Sequence, residues 1–378
     1  MYGNLWETVE NVDLRTKNTS SISDISVMKN NDEWLAAISP QSYLSYVKQP
    51  FFTCVGTNSP NTDMDRTYEC LSRMDNGENA MVLFAPRAMD SLLSTYMKNL
   101  IKWFASQLMP SEGKFDVRDV KIKISAKLTN GDVKIVTQYK CPNFSSLNLY
   151  YCRDKQGLNG TRNWVKQTMK RNDEEEYVCV LKLYDASTPV IAFCNVTFPN
   201  GVTVSSNLLK FIPQKKFVGE VINLQSRSPV VYSGDQGVAE FTPMTPMGDQ
   251  KGEFVDDNPV SQTVGPFEIC GLCGTRMGSF VVGDDCILVG ENSLLMMDVC
   301  SKEAQDMTVY FVTDWGEDSV TAFKHTCRLE GGANWQKIVL SNDDFKNEGR
   351  AKGLNFADAS VICFECKNVV VINNIIFT

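Results

Sequence analysis

The chain reads as a mostly β, multidomain protein. Three observations carry that reading. From Val117 the hydrophobic period changes from helical to alternating, as in residues 121–128. Short apolar runs then recur to the C-terminus, bounded by turn signals such as Thr129-Asn130-Gly131-Asp132 and Pro199-Asn200-Gly201. A length of 378 residues exceeds what one hydrophobic core usually holds, so two or three domains are expected. The expected divisions are 1–113, 114–215 and 216–378.

Residues 1–31 are polar and weakly periodic, and read as a loop-rich entry. Asn31-Asp32 is a helix-capping signal for a short helix over 33–38, which Pro40 ends. Residues 50–58 predict a short apolar strand running into a turn, 63–74 a helix, and 80–86 a second apolar strand. From Leu92, the apolar residues Leu93, Met97, Leu100, Ile101, Phe104 and Leu108 recur at helical spacing. That spacing predicts one apolar stripe packed on a sheet, with Trp103 as a packing residue and Pro110 and Gly113 as terminators.

Strands are next predicted at 121–128, 133–139, 147–152, 177–183, 190–197 and 207–212, a β-sandwich of immunoglobulin-like size. A second all-β unit begins near Lys216. Its predicted strands are 218–224, 230–232, 239–241, 267–272, 280–282, 293–299, 307–313, 320–327, 336–340, 360–365 and 369–377. Between them, 243–264 is rich in Pro, Gly and Asp and reads as a long surface excursion.

A net charge of −8 argues against a nucleic-acid groove, which needs clustered basic residues. The basic run 166–171 is followed at once by Asp173-Glu174-Glu175-Glu176, as on a solvated segment. No stretch approaches about 18 consecutive apolar residues, so no membrane span is predicted. Residues 1–7 have neither the basic start nor the apolar run of a secretory leader. The expectation is therefore a cytoplasmic protein, or one whose natural start lies upstream, which would allow an extracellular or cell-surface location. Thirteen cysteines are scattered along the chain, several inside apolar runs, and read as buried free thiols acting as small hydrophobes.

Three stretches carry a family resemblance. Tyr43-Leu44-Ser45-Tyr46-Val47-Lys48-Gln49-Pro50 followed by Gly56-Thr57-Asn58 resembles the penultimate strand of bacterial α/β-hydrolases of the dienelactone-hydrolase and acetyl-esterase type. Phe84-Ala85-Pro86 resembles the end of their last strand, and Ile101-Lys102-Trp103-Phe104 their C-terminal helix. Leu149-Tyr150-Tyr151, Thr161-Arg162-Asn163-Trp164 and residues 201–206 resemble the immunoglobulin-like domain appended to some of these enzymes. Asn334-Trp335-Gln336, Asp344-Phe345-Lys346 and Asn373-Asn374-Ile375-Ile376-Phe377 resemble a galactose-binding-like jelly roll of the carbohydrate-binding kind. The resemblance implies a partial hydrolase remnant, an immunoglobulin-like sandwich and a carbohydrate-binding-like sandwich.

The departures from that family bear on chemistry. No Gly-x-Ser-x-Gly occurs, Ser59 stands where the triad acid belongs, and Arg87-Ala88 stands where the histidine belongs. A Ser-His-Asp system needs a base to take the hydroxyl proton and an acid to orient the base. No catalytic residue is therefore assigned. The lone histidine, His325, reads as a packing or surface residue. Cys270-x-x-Cys273 and Cys363-x-x-Cys366 are weak candidates for a zinc site, since about ninety residues separate them. Asp284-Asp285 and 314–318 are acidic turns with oxygen ligands for calcium, read in the first place as solvated. No cofactor is expected.

Sugar recognition needs an exposed flat ring beside polar groups. Trp315, with Asp314 and Arg328, is the candidate set. The function expected is non-catalytic glycan or surface binding. Two alternatives are weighed with it: the tail of an ester hydrolase whose nucleophile half lies on a missing N-terminal segment, and a structural component of a virion or surface layer.

Overall fold

The computed structural model describes residues 42–58, 64–67, 71–74, 80–88, 94–108, 121–140, 144–154, 159–172, 176–213, 226–244, 260–313, 321–347 and 353–378. The predicted helix at 33–38, the strand at 218–224 and the loop 314–318 lie wholly or mainly outside these residues. Two compact units divide the chain at Glu220/Val221. Among the described residues, no helix is long and apolar enough to cross a membrane.

In the first unit, β1 (Phe51–Gly56) and β2 (Ala80–Ala85) pair in parallel, from Phe51 opposite Ala80 to Gly56 opposite Ala85. Parallel neighbours need a crossover, which the intervening residues supply. The helix α1 (Ser94–Leu108) packs on one face through Trp103, whose ring lies 5.2 Å from Phe52. The other face carries Val55, Val82 and Phe84, which are buried with Trp164, Ile191 and Phe193.

Two antiparallel sheets follow. One runs β3 (Lys121–Thr129), β4 (Asp132–Lys140), β8 (Tyr177–Lys182), β7 (Lys170–Arg171). Its first hairpin turns on Asn130 and Gly131, both at positive φ (52° and 84°), as a two-residue turn requires. The second runs β10 (Thr203–Ser205), β9 (Val190–Thr197), β5 (Ser146–Arg153), β6 (Val165–Thr168), with β11 (Leu209–Phe211) also on β9.

Strand β9 is buried at seven successive positions, so both of its faces are covered. Thr137 of β4 meets Cys194 on one face at 3.1 Å, and Phe193 meets Phe84 on the other at 5.2 Å. The β1–β2 layer and the sandwich thus share one hydrophobic core. Among the described residues no strand pairs with the far edge of β2, where side chains of β9 and β10 bond its backbone. Phe84 N–H donates to Ser205 Oγ, and Asn195 Nδ2 donates to Phe84 O.

One long strand organises the second unit. β19 (Ala359–Phe377) keeps β14 (Cys270–Ser279) on one side along much of its length. On its other side the first half pairs with β16 (Gln305–Thr313) and the second half with β15 (Leu295–Ser301). The sheet therefore forks. One branch adds β17 (Thr321–Leu329) to β16, and the other adds β18 (Trp335–Leu340) to β15. β13 (Ser261–Val264) borders β14, and β12 (Val230–Tyr232) meets the end of β19. The core between the branches holds Leu272, Met297, Val299, Val309, Phe311, Phe356, Phe364, Ile372 and Phe377.

Several local expectations are corrected. The strands read at 360–365 and 369–377 are one, because both halves find partners. Residues 280–282 lie in and next to a 3-10 turn at Val281–Gly283, and residues 239–241 are turn, so their apolar side chains fill the core without a ladder. Ser261–Val264, read as the end of a loop, is a strand. Of the apolar set on α1, Met97, Ile101, Phe104 and Leu108 face solvent at 44%, 64%, 57% and 64% exposure. The packed face carries Asn99 and Trp103 instead, because Asn99 bonds the Thr203 backbone in both directions, at 3.1 and 2.6 Å.

Candidate functional site

The ends of β1 and β2 are where the hydrolase resemblance would place an acid and a base. Thr57 and Asn58 are fully buried there. Asn58 Nδ2 donates to the carbonyls of Gly160 and Arg162 at 3.3 and 2.9 Å, and Arg87 Nε donates to Trp164 O at 2.9 Å. Arg162 extends this network by a two-point contact with Asp65 and one bond to Asp154. These groups tie the strand ends to residues 160–164, and no imidazole lies among them. His325 belongs to the second unit, where Nδ1 meets Asp344 O at 3.0 Å and the ring leans on Phe345.

The four candidate zinc ligands are spread along two neighbouring strands. Cys273 sits opposite Val371 and Ser261, Cys270 opposite Val264, Cys363 opposite Gly278 and Cys366 opposite Met307. Among the described residues, no group of three or more His, Cys, Asp or Glu is placed to hold a metal ion. Burial pushes the Cys366 thiol up to about 12 and Cys363 higher still, the reverse of what a thiolate ligand needs. The acidic turn at Asp284 is satisfied locally, since Asp284 Oδ1 accepts from Cys286 N–H.

Of the sugar-binding set, Trp315 and Asp314 lie outside the described residues. Arg328 stands near the end of β17, seven residues from Thr321, roughly 23 Å along an extended strand. Arg328 pairs with Asp306 at 3.0 Å on the outer face of the β14–β19–β16–β17 branch.

That outer face carries a row of bonded polar side chains. Alternate residues share it, because strand side chains point to opposite faces in turn. One row reads Arg276, Glu365, Thr308, Thr326 across the four strands, and the next reads Gly278, Cys363, Tyr310, Lys324. Glu365 is fixed by two partners: Arg276 Nε lies 3.3 Å from Oε1, and the Tyr310 hydroxyl donates to Oε2 at 3.2 Å. Thr308 and Thr326 share a hydroxyl contact of 3.2 Å. Burial, and next the Glu365 charge, push the Tyr310 phenol up to about 12, so it stays a neutral donor. The arrangement offers a half-buried tyrosine ring, a carboxylate, a guanidinium and hydroxyls held by a sheet, and beside the ring Cys363 is fully buried against Met244.

A second feature departs from the strand predicted at 267–272. Phe267, expected to begin a strand, sits instead in the turn between β13 and β14 at φ 59° and 86% exposure, and Glu268 follows at φ 59°. Trp335 holds this turn, donating its indole N–H to Pro266 O at 3.0 Å. Its ring fills the place where a side chain on Gly265 would begin. The signal available was Gly265-Pro266, which marks a turn rather than a strand.

No family model matches the chain, and no curated protein is similar to it. Among solved structures, similarity is found to a family 11 carbohydrate-binding module of a cellulosomal cellulase of Clostridium thermocellum. Identity is 11%, over 32% of this chain and 81% of that one, with a TM-score of 0.26. A family 11 module from the same organism, in complex with a β-1,3-1,4-mixed-linked tetrasaccharide, gives 12%, 37%, 95% and 0.25. A structure described under the promiscuous specificity of carbohydrate-binding modules of the β-sandwich superfamily gives 9%, 69%, 97% and 0.24. TM-scores this low carry no argument, and the functional reading rests on the residues of this chain.

Proposed function

We propose that the second unit, residues 221–378, is a non-catalytic glycan-binding module. The observation that carries the reading is the outer sheet face on which Tyr310 stands beside Glu365, with Arg276, Thr308 and Thr326 in the adjacent row. A pyranose has an apolar face that a ring can cover and hydroxyls that need fixed donors and acceptors. Groups held by a sheet are in place before the sugar arrives, which lowers the ordering cost of binding. The ligand class is a neutral polysaccharide or surface glycan.

Arg328 and Asp306 extend the same face toward one end. Trp315 and Asp314, on the connection between β16 and β17, and Phe267, at the far end of β14, are proposed as further contacts for a long ligand. The test is titration of the full chain with a panel of soluble polysaccharides, followed by Tyr310→Ala. Binding that falls with Tyr310→Ala supports this site. Silence across the panel removes the reading.

A further inference from the structure

We propose that the outer face of the β3–β4–β8–β7 sheet binds a linear acidic polysaccharide, a single chain bearing sulfate or carboxylate groups. This inference concerns the first unit only and is independent of the neutral-glycan reading of the second.

Strand register assembles the face. Side chains alternate across a sheet, so Val133, Ile135, Cys179 and Leu181 turn toward the core and their neighbours turn out. Five lysines share the outward side. Lys127 stands directly opposite Lys134, about 5 Å away between Cβ atoms. Lys182 is the diagonal neighbour of Lys134 across to β8, at about 8 Å. Lys123 lies beyond Ser125 on β3, about 14 Å from Lys127. Lys170 on β7 stands opposite Val178. Lys123, Lys127, Lys170 and Lys182 are exposed, and Lys134 is half-buried. Among the described residues, none of the five forms an ion pair. The carboxylates on the face are Asp132, opposite Thr129, and Glu176, which accepts from Gln138.

Like charges directly opposed, as at Lys127 and Lys134, destabilise a sheet. Lysines on an edge strand guard against aggregation, which accounts for Lys123 and Lys127 on β3. That role does not extend to Lys134 and Lys182, which stand on β4 and β8 inside the sheet. The chain as a whole carries −8, so this face reverses the sign locally. Beyond about 8 Å the remaining charge is screened at physiological salt, and the local lysines decide what makes contact.

The neighbours of the lysines decide the class of polyanion. Between them lie Val136, Val178 and exposed Val180, an apolar floor for the C–H face of a sugar. Bases need rings to stack on, and no aromatic side chain of the described residues stands on this face, which disfavours single-stranded nucleic acid. An anionic bilayer would meet the whole plane, Asp132 and Glu176 included. A single chain follows Lys123, Lys127, Lys134 and Lys182 along β3 and then across the sheet.

The probes are dextran sulfate and polygalacturonate, titrated into the full chain in about 0.1 M salt and again in about 0.5 M. Saturable binding to at least one is expected, weaker in the higher salt, and the two polymers separate sulfate from carboxylate recognition. Lys127→Gln with Lys134→Gln should weaken binding about tenfold, the measure of two lost surface charges. The same variant should melt no lower than the parent, because it removes an opposed pair, so the loss is not one of folding. Lys98→Gln with Lys210→Gln, an equal charge change on α1 and β11, should leave binding intact, as should Tyr310→Ala. No binding to either polymer overturns the proposal. So does an equal loss in the control pair, or tighter binding to single-stranded DNA, duplex DNA or phosphatidylserine vesicles.

Discussion

The Tyr310 hydroxyl donates to Glu365 Oε2 at 3.2 Å across neighbouring strands, while Arg276 approaches the other oxygen of the same carboxylate. The acid is thus aimed by two groups from two other strands. Removing the ring deletes a stacking surface and frees the carboxylate. Tyr310→Ala should weaken polysaccharide binding about tenfold or more, the measure of one lost aromatic contact. Tyr310→Phe should fall between, because it keeps the ring and loses the donor. Isothermal titration of the three proteins checks the order.

Phe267 predicts a separation of stability from binding. A phenylalanine held at φ 59° is strained by about 1–2 kcal/mol, and at 86% exposure it recovers little by packing. Phe267→Gly should therefore raise the thermal midpoint by a few degrees. If the ring also serves a long ligand, the same variant loses affinity for polymer and keeps it for short oligosaccharides. Differential scanning calorimetry and titration read the two effects apart.

The ion network of the first unit behaves oppositely. Arg162 is 2% exposed, bound twice by Asp65 and once by Asp154, which is itself 5% exposed. Arg162→Met leaves the Asp154 carboxylate buried without its cation and should cost about 3–5 kcal/mol. Asp65→Asn, at the more exposed end of the network, should cost less. Urea unfolding followed by tryptophan fluorescence gives both values.

The thiols predict an alkaline limit. Burial pushes Cys54, Cys194 and Cys366 up to about 12, and Cys179 and Cys327 to about 11. An acid whose folded pKa is raised stays neutral in the fold while the unfolded chain ionises, so the unfolded state binds fewer protons. Stability should be level below about pH 8 and fall from the ordinary thiol range near 9 toward 12. The same thiols should react with a disulfide reagent only on unfolding. A chain equally stable at pH 8 and pH 10.5 would contradict this.

Much of the β architecture was legible because alternation and turn chemistry are local. Residues 121–128 and the Asn130-Gly131 turn locate a hairpin without any tertiary knowledge. The readings that failed depended on partners far along the chain. The stripe of α1 was assigned to the sheet, yet Asn99 took that side because the Thr203 backbone offered it two hydrogen bonds. Phe267 was read as a strand start although Gly265-Pro266 marks a turn, and Trp335, 68 positions later, holds that turn in place. The outer-face site was invisible for the same reason: Arg276, Tyr310 and Glu365 are brought together by strand register, which no short motif records.

The most direct test is calorimetric titration of the full chain with neutral polysaccharides, alongside Tyr310→Ala and Glu365→Gln. The account predicts saturable binding to at least one polymer, weakened about tenfold by each substitution with the fold intact by circular dichroism. Binding that is unchanged in both variants, or absent for every polymer, would contradict it.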